Sequence, residues 1–169
     1  MLIRAAKSDD VEAVGQIRID AWRAAYQDFL PADYLAALDP TANLNSLRSS
    51  LASREPPFLL EVAELNGTIA GFSIVGPPRH EAEPETYELW ALNVHPHFFR
   101  RGVGKALVEE AIRYSKSRGA SRMELWCIKG NVPAGHLYQG SGFALTGRKR
   151  TTTRLTGHPL AEELFAISL

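Results

Sequence analysis

The stretch "RRGVGK", Arg100 to Lys105, sets two arginines against Gly-Val-Gly and runs straight into a helical pattern. Successive N–H groups at a helix start, backed by the helix dipole, bind phosphate. Glycine serves there because a side chain would block close approach, or because the turn needs a positive φ. Taken alone, Gly102-Val103-Gly104 also reads as a plain tight turn. Two other phosphate motifs fail on spacing. No Gly-x4-Gly-Lys-Ser/Thr occurs, and the third glycine of G-x-G-x-x-G would fall on Leu107.

A second constellation lies in "NVPAGHLYQGSGF". Asn131, Ala134 and Tyr138 stand at i, i+3 and i+7, so one helical face would carry an amide, a small residue and a phenol. The small residue leaves a shallow groove for a thin ligand chain, although a plain amphipathic helix would show the same spacing. Glu88, in "TYELWALNVHP", is expected to share a strand face with Trp90 and Leu92. It is either a carboxylate available for proton transfer or a solvated strand-end charge. Trp22 and Tyr26, at i and i+4, can form one aromatic wall or serve as core aromatics.

The elements that must position these residues follow from periodicity. Leu2 to Ala6 reads as a strand, and Ser8 as an N-cap with Asp9 and Asp10 in the first turn. Val11, Val14, Ile17 and Ala21 continue at helical spacing toward Trp22 and Tyr26. Pro31 opens a second helical piece, and Leu44, Leu47 and Leu51 mark a third. "FLLEVAEL", "NG" and "TIAGFSIVG" spell a hairpin with a tight turn at Asn66-Gly67. A helix is expected from about Gly102 to Arg118, with Val103, Leu107 and Ala111 inward and Lys105, Glu109 and Arg113 in water. "SRMELWCI" is a strand, "NVPAGHLYQGSG" a helix, and "FALTGRKRTTT" and "ELFAISL" the last two strands.

The 169 residues are 45% hydrophobic and 22% charged, ordinary for one globular domain spanning 1–169. Nineteen basic residues balance nineteen acidic ones, so no net field favours nucleic acid or an anionic membrane. No stretch is apolar over the roughly 20 residues that span a bilayer, and "MLIRAAKSDD" does not read as a secretion signal. The one cysteine, Cys127, reads as a buried small hydrophobe, and no Cys/His cluster has metal-site spacing. A cytoplasmic protein without a metal is expected.

Together, "ELWALNVHPHFFRRGVGKAL" and "NVPAGHLYQGSGF" resemble the GNAT superfamily of N-acetyltransferases. "AWRAAYQDFLP" also resembles the acceptor-site helix of many small-molecule members. The resemblance implies an α/β (α+β) fold: a central mixed, mostly antiparallel twisted sheet flanked by helices. It implies that the amides of Arg100, Arg101, Gly102, Val103, Gly104 and Lys105 hold the pyrophosphate of acetyl-CoA. Pantetheine would run along Leu92, Asn93 and Val94 as a false strand, held by Asn131 and passing Ala134. Tyr138 would stand near the thioester sulfur as the acid, and Glu88 where many members place their base. Trp22 and Tyr26 would line the acceptor cleft. The family usually has Arg or Gln where this chain has Phe99; since backbone groups dominate the loop, cofactor binding is expected to survive.

Such an enzyme must deprotonate its amine. For a pKa of about 10.4, the neutral form costs about 4–5 kcal/mol at pH 7, which is the case for a base. Glu85, His80 and His95 rival Glu88, though a histidine at a strand end before proline, as His95 is, reads more readily as a turn residue. A thiol with pKa about 8.5 leaves easily, so positioning outweighs acid help. The expected reaction is acetyl transfer to a primary amine of a metabolite, polyamine, amino acid or peptide. Alternatives are a CoA-binding sensor without catalysis, a longer acyl donor, or modification of protein N-termini or lysines. The cluster Glu81, Glu83 and Glu85 mildly favours a polyamine or a peptide amine, although such a cluster is usually just solvated. "GRKRTTTR" reads as a charged edge strand, and pairing into a homodimer through the last strands is possible.

Overall fold

The computed structural model describes residues 1–53, 58–154 and 156–169. Its strands are β1 (Leu2–Ala5), β2 (Leu59–Leu65), β3 (Thr68–Gly76), β4 (Thr86–Val94), β5 (Arg122–Ile128), β6 (Ala144–Thr152) and β7 (Leu160–Ser168). They form one seven-stranded sheet in the order β1-β2-β3-β4-β5-β7-β6. Every neighbouring pair is antiparallel except β4 and β5. The α/β fold expected from the sequence is therefore present.

On one face of the sheet lie helices α1 (Val11–Ala25), α2 (Ala32–Ala36) and α3 (Leu44–Leu51), and on the other α4 (Val103–Ser117) and α5 (Val132–Gly140). Val14 and Ile17 of α1 bury against Leu60, Val62 and Phe72. Val108 and Ala111 of α4 bury against Leu89, Met123 and Leu125. Lys105, Glu109 and Arg113 point to water, as their spacing predicts. The hairpin turn falls on Asn66 (φ 52°) and Gly67 (φ 78°), the paired left-handed geometry that a two-residue hairpin needs. β6 is an edge strand, and the charges of Arg148 and Lys149 protect that edge.

Two local expectations are corrected, and one buried charge is added. Ser8 does not cap α1: it opens a short 3-10 turn, and Asp10 reaches back to the Lys7 N–H at 2.7 Å. The Arg4 guanidinium grips that carboxylate in fork fashion, which holds Asp10 below the usual carboxylate range. Leu92 does not share the face of Glu88. The pairing Val75↔Leu89, Ile74↔Ala91 leaves Trp90 as an extra residue, a β-bulge that reverses the alternation beyond it. Ala91 then packs with the α1 cluster, and Leu92 with the α4 clusters. Finally, Glu61 of β2 is buried with its Oε2 unpaired among the described residues. Burial, and then the charge of Glu110, push it up to about 7.

Candidate active site

β4 and β5 pair only at Thr86↔Arg122, Tyr87↔Met123 and Glu88↔Glu124. Beyond these rungs the strands part, leaving the β5-facing edge of Leu92, Asn93 and Val94 without a neighbouring strand. The wedge opens onto a cleft of about 1170 Å³.

At its mouth the chain leaves β4 through a 3-10 turn at Pro96–Phe98. Arg100 (φ 60°) and Gly102 (φ 80°) then bend it into α4. Among the described residues the amides from Arg100 to Lys105 make no well-formed hydrogen bond to a protein acceptor; the first bond of the helix runs from the Ala106 N–H to the Gly102 carbonyl at 3.0 Å. Backbone donors are otherwise almost always paired, so a run of free ones converging at a helix start fits an anion such as a pyrophosphate. A Cβ on Gly104 would stand 3.1 Å from Leu137 and 3.7 Å from Val94, so the glycine lets α4, α5 and β4 close together. Arg101 differs from its neighbours in the loop. Its guanidinium covers the Phe98 ring at 5.6 Å, and the residue does not line the cleft. Phe99 is exposed beside Arg100 at the rim.

α5 forms the opposite wall. Asn131 stands just before the helix as its N-cap, its Oδ1 accepting from the Ala134 N–H at 3.4 Å, so it is not on a helical face as its spacing suggested. Its side-chain NH2 stays available for a ligand. Tyr138 packs edge-on to Phe143 and tilted on Phe165, with centroids 6.2 and 5.9 Å away. Burial, followed by Cys127 and Tyr26, raises its phenol well above the usual tyrosine value. Among the described residues its hydroxyl makes no hydrogen bond, and the residue lines the cleft.

The rest of the cleft is lined from the α1 face. Trp22 and Tyr26 form the expected aromatic wall, with ring centroids 5.4 Å apart. Tyr26 is pushed up to about 12, by burial first. Glu88 lines the cleft at 1% exposure, as a buried group and not a solvated one. Its Oε2 accepts from the Arg79 backbone N–H at 2.6 Å, and its Oε1 from the Arg79 guanidinium at 2.8 and 3.2 Å.

Behind Glu88 lies a charged network that sequence reasoning missed. His80 Nε2 is 2.8 Å from Glu124 Oε2, and Nδ1 is 3.4 Å from Glu88 Oε2. The Trp126 indole N–H points at the same Nδ1 at 3.2 Å, so the neutral ring carries its proton on Nε2. Burial penalises the charge of Glu124, but bonds from His80 and Arg122 outweigh that and hold it below the usual range. His80 thus links the two buried carboxylates, Glu88 and Glu124. Glu85 is an exposed turn residue (φ 56°), and His95 stands 3.6 Å from Asp20 outside this network.

The signal was present in the sequence as a repeat. Glu-Leu-Trp occurs at 88–90 and again at 124–126, and the parallel register sets the two glutamates side by side. Each tryptophan is covered by an arginine: Arg79 over Trp90 at 4.9 Å, Arg150 over Trp126 at 4.1 Å.

The acetyltransferase (GNAT) family model matches residues 12–143. The uncharacterised N-acetyltransferase YuaI of Bacillus subtilis is 30% identical over 129 residues, spanning 76% of this chain and 72% of that protein. Among solved structures, the PaiA N-acetyltransferase of Thermoplasma acidophilum in complex with coenzyme A has a TM-score of 0.80 at 17% identity, covering 99% of this chain and 98% of that one. The yncA protein of Salmonella typhimurium, solved with its cofactor acetyl-CoA, has a TM-score of 0.72 at 21% identity, covering 100% and 94%. At these identities the two likenesses show the fold. The chain belongs to the GNAT family of N-acetyltransferases, and it is an enzyme of the acyltransferase class.

Proposed function

We propose that this chain moves an acetyl group from acetyl-CoA to a primary amine by direct attack, with both substrates bound together. The observation that carries this reading is the run of free amides from Arg100 to Lys105, at the mouth of a cleft that also holds Tyr138 and Glu88.

Those amides would take the pyrophosphate, and the edge of Leu92 to Val94, with the Asn131 amide, the pantetheine arm. What acetyl-CoA supplies when bound is an acetyl group activated as a thioester. Forming the C–N bond breaks the C–S bond, and an ammonium acceptor must shed two protons in all. One passes to Glu88, directly or through water, with His80 3.4 Å behind Oε2 as the next carrier. The other goes to the departing sulfur. Tyr138 stays protonated at any working pH because burial raises it, so it serves as a hydrogen-bond donor to sulfur more than as a full acid. A backbone amide near Val94 would receive charge developing on the carbonyl oxygen.

Direct attack is preferred to a covalent relay because of Cys127. That thiol is buried and pushed up to about 12, by burial first and then by Glu162, so little thiolate exists to carry an acetyl group. Incubating the purified chain with acetyl-CoA and a panel of amines, and following thiol release and product mass, tests the reading. Intersecting initial-rate lines are expected; parallel lines would signal a covalent relay, and no product with any amine would sink the activity.

A further inference from the structure

Resting on the reading above, the geometry points to an acceptor that carries a carboxylate beside its amine, bound by Arg150 on the face of Trp126. Arg150 lines the acceptor half of the cleft. Its guanidinium lies 4.1 Å from the Trp126 ring centre, and its Nε donates to Glu162 Oε2 at 2.6 Å. Glu162 is buried at 3% exposure and sits directly across from Arg150 in the β6–β7 pairing. Among the described residues neither terminal nitrogen of Arg150 has a protein partner. A guanidinium that is stacked, tethered through Nε and open at its fork is preorganised for a planar oxyanion. Little side-chain entropy remains to be lost on binding.

The rest of the wall disfavours a polyamine. The Trp90 and Trp126 faces, which could receive an ammonium, are already covered by Arg79 and Arg150. The buried carboxylates that line the cleft, Glu88 and Glu162, are each paired with one of those arginines. The cationic acceptor favoured by the sequence cluster gains nothing from it, since Glu81, Glu83 and Glu85 are exposed and do not line the cleft. An amino acid or a peptide with a free carboxylate fits this charge arrangement.

The test compares phenylalanine, phenylalaninamide, phenethylamine, phosphoethanolamine and spermidine as acceptors for the parent, Arg150→Gln and Arg150→Lys. The parent is expected to favour phenylalanine over its amide and amine counterparts at least about tenfold in kcat/KM, chiefly through KM. Arg150→Gln should cut that ratio at least about tenfold. Arg150→Lys keeps a cation for Glu162 while losing the fork, and should cut it several-fold, which covers the case in which the glutamine variant fails to fold. Preference for spermidine or for phosphoethanolamine, or an equal loss on phenylalanine and phenethylamine, would overturn the proposal. If no amine is acetylated, the activity has failed but the site is still read by tryptophan fluorescence. Saturable quenching by phenylalanine, absent in the Lys variant, supports the anchor, and no quenching overturns it.

Discussion

At the scale of single residues, burial sets the chemistry. Tyr138 is held as a neutral phenol against Phe143 and Phe165, beside the cleft. Tyr138→Phe keeps the packing and removes the donor, so kcat should fall about 10²-fold with the affinity for acetyl-CoA nearly intact. Steady-state rates equal to the parent's would take the tyrosine out of the reaction. Glu61 gives a prediction about stability. Its folded value of about 7 lies above the usual 4.5, so the folded chain holds this proton more tightly than the unfolded one. Stability from it is complete below about 4.5 and is lost as pH rises through about 7. Glu61→Gln has no charge to bury; its melting midpoint should exceed the parent's by a few degrees at about pH 8, and match it at about pH 4. Equal midpoints at pH 8 would mean that the carboxylate is solvated after all.

At the scale of elements, local signals were legible and lateral ones were not. The α4 stripe, the Asn66-Gly67 hairpin and the Arg100–Lys105 turn follow from neighbours along the chain, and the structure has all three. The N-cap role of Asn131 and the Trp90 bulge depend on how the chain is anchored on both sides, which periodicity does not carry. The His80 network needs β4 beside β5, a contact between strands separated by a whole helix. Only the twin Glu-Leu-Trp hinted at it. One close contact between elements is at Gly104, where α4 meets α5. Gly104→Val would force Leu137 aside, and the acetyl-CoA dissociation constant should rise at least about tenfold. Calorimetry giving the parent's affinity would remove the amide cradle.

At the scale of the molecule, one sheet joins two differently loaded faces. α1 and α3 close one face, and α4 and α5 the other; the cleft passes between them where β4 and β5 separate. Among the described residues no helix is long and apolar enough to cross a membrane. A ligand in this cleft touches both halves of the sheet, so its binding energy should appear as global stability. At 100 times its dissociation constant, acetyl-CoA is expected to add about 2.7 kcal/mol, a rise of about 5–10 °C in the melting midpoint. Scanning calorimetry with no shift would mean that the carrier does not bind the folded chain.

The short pairing of β4 with β5 has a further consequence. Three rungs clasp the sheet at one end of the seam, and past them it hangs open like a half-closed zip. On the proposed reading, a carrier lying along Leu92 to Val94 would supply the hydrogen bonds that a neighbouring strand would have made, and the cargo would complete the architecture while it is being consumed.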